Sequence, residues 1–290
     1  MKKAKKIVTM ILVITMLAGL AACSSKTESK TENPETEKMS DTMKKIKKSG
    51  KIVVGTEASF PPLEFHKEID GKDTITGFDI FVAEEIAKDL GVELEIKDMS
   101  FDGLLAALVA GNVDFVAAGM AATEERRQSV DFSIRYYDTL QTILARDDNK
   151  DEFPADSDMK GKLIGVQKGS TQSEIMSRMY PKAKTVEIAK NADIILQLQS
   201  GKIDGALLDD PIAQLYAIAN PGLTATELTF KNDPEYDVGS SIAVSKEAPD
   251  VLESIDKTLQ RIMDDGTYDK LLEKADSMLD ADMIDMLVDE

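Results

Sequence analysis

The stretch Leu108–Gly119, LVAGNVDFVAAG, returns further along the chain in altered form as Leu198–Asp209, LQSGKIDGALLD. Both run leucine, two residues, glycine, one residue, valine or isoleucine, aspartate, and then five residues to the end of an apolar run. Each copy reads as the end of a helix, a glycine stop and a strand. A unit that occurs twice predicts two related lobes, with Gly119 and Asp209 at equivalent carboxyl ends of strands. Ligands of open α/β sheets bind beyond those ends. A site shared by both lobes would therefore face a cleft between them.

The segments around the two copies follow the same plan. Lys51–Thr56 (KIVVGT) reads as a buried strand. Gly77–Leu90 has helical periodicity, with Phe78, Phe81, Val82, Ile86 and Leu90 on one stripe and Gly91 as the stop. Val92–Met99 alternates as a strand does, Phe101–Ala110 is a helix and Val113–Gly119 a strand. After about residue 150 the pattern restarts. Lys162–Gln167 and Ser170–Tyr180 read strand and helix. Lys184–Ala189, Asp193–Gln199 and Ile203–Asp209 read strand, helix, strand, and a further helix opens at Pro211, where a missing N–H costs nothing. Alternating strands and helices predict parallel α/β packing. Val238–Val244 then reads as a strand before a last set of helices. The predicted organisation is residues 41–138 with 238–290 as lobe 1 and 141–233 as lobe 2. Hinge strands fall near Tyr137–Ala145 and Asp233–Gly239.

The 290 residues carry 53 acidic against 35 basic side chains, a formal charge of −18. That balance opposes nucleic acid as a partner, because binding phosphates takes a basic face. The N-terminus is the exception to the acidity. Four lysines in Met1–Lys6 precede the apolar or small run Ile7–Ala22, and Cys23 follows, the one cysteine of the chain. This is the layout of a cleaved signal peptide, residues 1–22. With no second cysteine, Cys23 cannot form an internal disulfide. Residues 23–40 are polar, lack aromatics and read as a flexible tether. Leu20-Ala21-Ala22-Cys23 resembles the bacterial lipobox. That resemblance implies cleavage before Cys23, lipidation of its thiol and a body held at the outer face of the cell membrane.

From Lys51 to Lys274 the chain resembles the polar amino-acid-binding proteins of ABC importers, solute-binding protein family 3. The stretches that carry the resemblance are VVGTEASFPPLEF, GFDIFVAEEIAKDLGV, FDGLLAALVAGNVDFVAAG, TEERRQSVDFS, GVQKGSTQ, IDGALLDDP and DDGTYDKLLEK, in the family's order. The resemblance implies a two-lobed periplasmic-binding-protein-like fold of type II, with two hinge strands and one free amino acid in the cleft. It implies no cofactor, a monomer, and permease subunits of an ABC importer as partners.

Site residues carry over one at a time. Arg126 falls where the family clamps the ligand's α-carboxylate, and a guanidinium fork suits that task. Thr123 would cap its helix, and Arg127 would be exposed. Asp209 matches the carboxylate that meets the α-ammonium, with Asp210 as the cap of the next helix. Gly119 matches a carbonyl on the same ammonium. The turn Gly169-Ser170-Thr171 would hold the carboxylate from the second lobe. Phe60 and Phe101 match aromatic walls. Gln167 and Leu208 would line the side-chain end from lobe 2, and Glu57 from lobe 1. Ala121 departs from the Thr or Ser many members carry, a hydroxyl contact worth about 1.5–3 kcal/mol. The tail ADSMLDADMIDMLVDE also runs past the usual end.

If Glu57 faces the pocket, its buried carboxylate needs a partner. A cationic side chain supplies one, so arginine, lysine or ornithine is expected, with cystine or glutamine as the alternative. An enzyme of the cyclohexadienyl-dehydratase kind on the same fold is the rival from another class. No nucleophile motif favours it, and the single histidine, His66, reads as a surface residue of a polar loop. A lone histidine among scattered carboxylates makes no metal site. A receptor's sensing domain is the other rival, and no spanning helix follows the body.

Overall fold

The computed structural model describes residues 39–230 and 239–279. The expected signal peptide, Cys23, most of the tether, all but the last residue of the second expected hinge strand, and the acidic tail from residue 280 lie outside the described residues.

The body opens with helix α1 (Asp41–Ser49), capped by the Ser40 hydroxyl, which accepts from the Met43 amide at 3.0 Å. Strand β1 (Lys51–Thr56) follows. A small sheet comes next, formed by β2 (Ser59–Phe60), β3 (Glu64–Ile69) and β4 (Lys72–Thr76). Helix α2 (Phe78–Leu90) buries nearly all of its first three turns and stops at Gly91, whose φ of 67° is left-handed. After β5 (Glu93–Asp98) comes a single 3-10 turn, Phe101–Gly103, and then helix α3 (Leu104–Val109). The helix expected over 101–110 is thus split in two. Strand β6 (Phe115–Val116), helix α4 (Glu124–Arg127) and strand β7 (Val130–Phe132) complete this half.

The second half holds β8 (Gln141–Arg146), β9 (Leu163–Gln167), α5 (Thr171–Met179), β10 (Lys184–Ile188), α6 (Asn191–Gln199), β11 (Gly205–Asp209), α7 (Asp210–Ala219) and β12 (Leu223–Phe230). The chain then returns to the first half with β13 (Ala243–Ser245), α8 (Pro249–Asp264) and α9 (Thr267–Ser277).

Two five-stranded sheets result, in the orders β5-β1-β6-β13-β7 and β10-β9-β11-β8-β12. In each, three neighbouring strands run parallel, β5-β1-β6 in one and β10-β9-β11 in the other. The antiparallel strands are those at the crossings, β13 with β6 and β7, and β8 with β11 and β12. Each sheet anchors one lobe, and the fold is two-lobed α/β of type II. The first crossing passes through 133–140, and its Tyr137 bridges to Ser240 on the returning strand.

The sequence repeat has a physical basis in both lobes. Gly111 and Gly201 take φ of 72° and 70° and end their helices, where a left-handed residue satisfies the last carbonyls. The aspartate three residues on then does the same work twice. Asp114 Oδ2 accepts from the Val53 amide at 2.9 Å, and Asp204 Oδ2 accepts from the Leu163 amide at 2.8 Å. Each aspartate thereby locks its strand to the neighbouring parallel strand. The strand expected over 113–119 forms as Phe115–Val116, flanked by backbone bonds from the Asp114 amide to the Val53 carbonyl at 2.8 Å and from the Ala117 amide to the Gly55 carbonyl at 3.2 Å, and the backbone turns left-handed at Gly119 (φ 56°).

Candidate ligand-binding cleft

One cavity is lined by Glu57, Phe60, Phe101, Gly119, Ala121, Arg126, Gln167, Ser170, Thr171 and Asp209. These are the ten residues expected from the sequence, and five segments of lobe 1 and two of lobe 2 bring them together. Glu64, Ala118 and Gln172 also line it. Leu208 does not: it is buried in the second lobe's core with Ile194, Ile195 and Tyr216. The parity of β11 explains this, since adjacent strand residues point to opposite faces. If Asp209 faces the cleft, Leu208 faces the core.

Arg126 enters from α4. The Thr123 hydroxyl caps that short helix by accepting from the Arg126 amide at 3.3 Å. The guanidinium is buried, donates to the Ala121 carbonyl at 2.7 Å and lies 5.4 Å from the centre of the Phe101 ring. It also crosses the cleft and donates to the Gly169 carbonyl at 3.0 Å. Two of its N–H groups are so fixed, and the rest of the five-donor fork remains available. Burial pulls its pKa below the usual arginine value. Arg127 is exposed and stacks beside Phe132 instead.

Asp209 ends β11 and stands at the N-cap position of α7, so Asp210 is inside the first turn rather than the cap. The Asp209 carboxylate makes no capping bond. It accepts instead from Gln141 Nε2 and, at 3.0 Å, from Gln172 Nε2. Burial raises its pKa to about 7 against the pull of these two donors.

Glu57, at the end of β1, is 5% exposed. Its carboxylate accepts from the Ser59 hydroxyl and, across the cleft, from Gln167 Nε2 at 3.1 Å. Burial again raises its pKa. The Ser170 hydroxyl donates to the Gln167 carbonyl at 2.6 Å, which fixes the turn before α5. Phe60 packs against the cores of both lobes and lies over Gly119, where an added Cβ would come 2.8 Å from the ring. The Gly119 amide donates to Asp79 Oδ2 at 2.9 Å, and the Tyr136 hydroxyl donates to Asp79 Oδ1 at 2.7 Å. Glu64, wholly buried beside Asp79, is held well above the carboxylate range by burial and by Asp79. An ion pair outside the cavity, Lys168 to Asp102 at 2.8 Å, also joins the lobes.

His66 sits in β3 rather than in a loop. It is 40% exposed, with Nδ1 2.9 Å from Asp73. Among the described residues no group of three or more histidine, cysteine or carboxylate side chains is arranged to hold a metal, and no helix is long and apolar enough to cross a membrane.

The cavity thus presents one fixed cation, Arg126, and three carboxyl groups: Glu57 and Asp209 at hydrogen-bonded positions, and Glu64 behind them. These groups complement a small molecule that carries both an anionic and a cationic group.

Residues 52–275 match the family model of bacterial extracellular solute-binding proteins, family 3. A probable histidine-binding protein of Campylobacter jejuni is 32% identical over 93% of this chain and 98% of its own length. The arginine-binding extracellular protein ArtP of Bacillus subtilis is 33% identical over 77% of this chain and 85% of its own. An amino acid ABC transporter substrate-binding protein of Streptococcus pneumoniae, AbpA, solved bound to L-arginine, superposes with a TM-score of 0.76. It is 34% identical over 81% of this chain and 98% of that one.

Proposed function

This chain belongs to the bacterial extracellular solute-binding proteins, family 3, and from that membership we propose that it captures a free amino acid with a cationic side chain, arginine before lysine and ornithine. The captured amino acid is handed to the permease subunits of an ABC importer, and no chemical step is performed on it.

The charge count of the cleft carries the reading. An α-amino acid brings a carboxylate for Arg126 and an ammonium for Asp209. Two carboxyl groups are then left over: Glu64, which burial and Asp79 hold well above the carboxylate range, and Glu57, buried and held on one side by Gln167 and Ser59. A buried carboxylate without a counter-charge is costly. A guanidinium or ε-ammonium reaching Glu57 removes that cost, and its aliphatic stem lies between Phe60 and Phe101. The relatives whose names specify arginine or histidine support the same class. In this reading the Ala121 carbonyl, which already accepts from Arg126, supplies the orientation that a hydroxyl gives in other members.

Calorimetry with the purified body tests it. L-arginine or L-lysine is expected to bind at least tenfold more tightly than glutamine or cystine, and Glu57→Gln to erase most of that margin. Tight binding of glutamine or cystine with none of arginine or lysine would overturn the ligand class. Turnover of a prephenate-like substrate would overturn the non-enzymatic reading. We further infer that processing before Cys23 and lipidation of its thiol tether the body outside the cytoplasm. The lipobox-like LAAC supports this, as does the family's extracellular description.

A further inference from the structure

We propose that Gln141 is a positioning residue which, together with Gln172, holds both oxygens of Asp209 as hydrogen-bond acceptors and so favours the ionised form of that carboxylate and turns it into the cleft. The inference rests on the reading of Asp209 as the acceptor of the ligand's α-ammonium.

The sheet makes the arrangement possible. Strands β8 and β11 run antiparallel with Gln141 directly opposite Asp209. Directly paired residues share a face of the sheet, so the two side chains lie side by side at the end of β11. Gln172 reaches the same point from the first turn of α5. Its Nε2 donates to Gln141 Oε1 at 2.8 Å and to Asp209 Oδ2 at 3.0 Å, which uses both of its protons. Gln141 Nε2 donates to Asp209 Oδ1. The chain of bonds leaves one assignment for every amide: Gln141 Oε1 is occupied as an acceptor, so its nitrogen must face the carboxylate. All three residues are buried.

Asp209 is thereby met by N–H donors on both oxygens. A protonated Asp209 would bring an O–H into a position where each near neighbour also donates. The carboxylate pays no attention to the helix it precedes: it stands at the N-cap of α7 yet makes no cap bond, although aspartate there ordinarily accepts from the first turn. Glu64 on β3 and Tyr137 on the crossing segment sense Asp209 electrostatically; Asp210 follows it in α7, and Arg126 lines the same cavity from α4. No cation is among the groups that set the Asp209 shift. What favours the charged form of Asp209 in the free protein is therefore hydrogen bonding, chiefly the two glutamine amides, acting against burial. Gln141 does not line the cavity, and it acts on a ligand only through Asp209.

The test uses two readouts. Carbon-13 carboxyl titration of the ligand-free protein follows Asp209 directly, and calorimetry with L-arginine at pH 6 to 9 follows its consequence. In the wild type, affinity is expected to hold above about pH 7 and decline below it. Gln141→Leu is expected to move both the titration and the onset of that decline upward by about one pH unit or more. Binding by the variant at pH 7 then falls several-fold while at pH 9 it stays within about threefold of wild type. An Asp209 titration that does not move, or an affinity loss of equal size at every pH, overturns the proposal and reduces Gln141 to a structural residue. If Gln141→Leu does not fold, Gln172→Met removes the other donor, and its Asp209 titration must shift in the same direction. If wild-type protein ignores L-arginine, the ligand reading fails, while the carboxyl titration still decides this inference.

Discussion

Replacing Arg126 by alanine isolates the one fixed cation of the cleft. The side chain is buried, bonds the Ala121 carbonyl at 2.7 Å and the Gly169 carbonyl at 3.0 Å, and rests on Phe101. In the proposed role as clamp, its removal would leave the ligand carboxylate desolvated and unpaired. Truncating one partner of a buried, hydrogen-bonded charge pair costs about 2–5 kcal/mol. At about 1.4 kcal/mol per tenfold, the dissociation constant for L-arginine is expected to rise roughly 30-fold to several-thousand-fold. Arg126→Lys keeps the charge but loses the planar fork, and it should fall between wild type and alanine. Arg127 is the internal control. It is exposed, and its bond to the Ala122 carbonyl at 3.1 Å stays within its own segment. Arg127→Ala should therefore change affinity by no more than about threefold, within the ±0.5 kcal/mol usual at a surface. Calorimetry on folded variants, checked by thermal melts, reads all three. An Arg126→Ala affinity within about fivefold of wild type, or equal losses for both alanine variants, would refute the clamp.

Stability of the ligand-free protein should rise as pH falls from 8 to about 5. Burial raises the pKa values of Asp79 to about 6 and Asp209 to about 7, and it raises Glu57 and Glu64 as well. A carboxyl group raised in the folded state contributes stability below its unfolded pKa, and that contribution is lost as pH rises through the folded value. Below about pH 4 the lowered groups, such as Glu85 beside Lys88 and Arg261, reverse the trend. Urea melts at pH 5, 6.5 and 8 check the order, and stability that climbs steadily from pH 5 to pH 8 contradicts it. Cys23→Ser should release the protein to the medium or leave an unprocessed precursor. A processed species of unchanged mass at the membrane, seen by fractionation and mass spectrometry, would rule out the lipid anchor.

Much of the fold was legible where the signal is local. KIVVGT forms a strand over the residues read from it, and GFDIFVAEEIAKDL forms a helix that ends at Gly91 in the left-handed conformation. The repeat was legible because its glycine and aspartate each perform one physical task in both lobes. The hairpin of β3 and β4 was missed although it carries a strong marker. Asp70-Gly71 joins the strands with φ of 54° and 74°, as a two-residue hairpin turn requires. The flanking residues His66, Lys67, Glu68 and Asp73 hid it, because a run so rich in charged residues reads as a loop.

The cleft shows the same division between local and non-local information. Residues at strand ends and helix starts, such as Glu57, Arg126, Ser170 and Asp209, can be placed from motif and order along the chain. Leu208 could have been excluded on parity alone. Gln141 could not have been found, because its meaning lies in the register of β8 against β11, and register is set by pairing between distant segments. Glu64 sits in the quoted stretch PPLEF, yet only the fold shows it wholly buried beside Asp79. These later-found residues bear on how the earlier ones work. The buried Glu64 and Asp79 stand behind Gly119, and the two glutamines stand behind Asp209. The residues expected to touch a ligand are thus held by buried polar groups whose hydrogen bonds run to the backbone or to one another. The cleft is crossed by three polar contacts, Arg126 to Gly169, Glu57 to Gln167 and Lys168 to Asp102, and by Phe60, which packs against the cores of both lobes. All three polar contacts involve residues 167–169, at the end of β9 and the start of the turn after it, so substitutions there are expected to weaken ligand binding in calorimetry through both lobes at once.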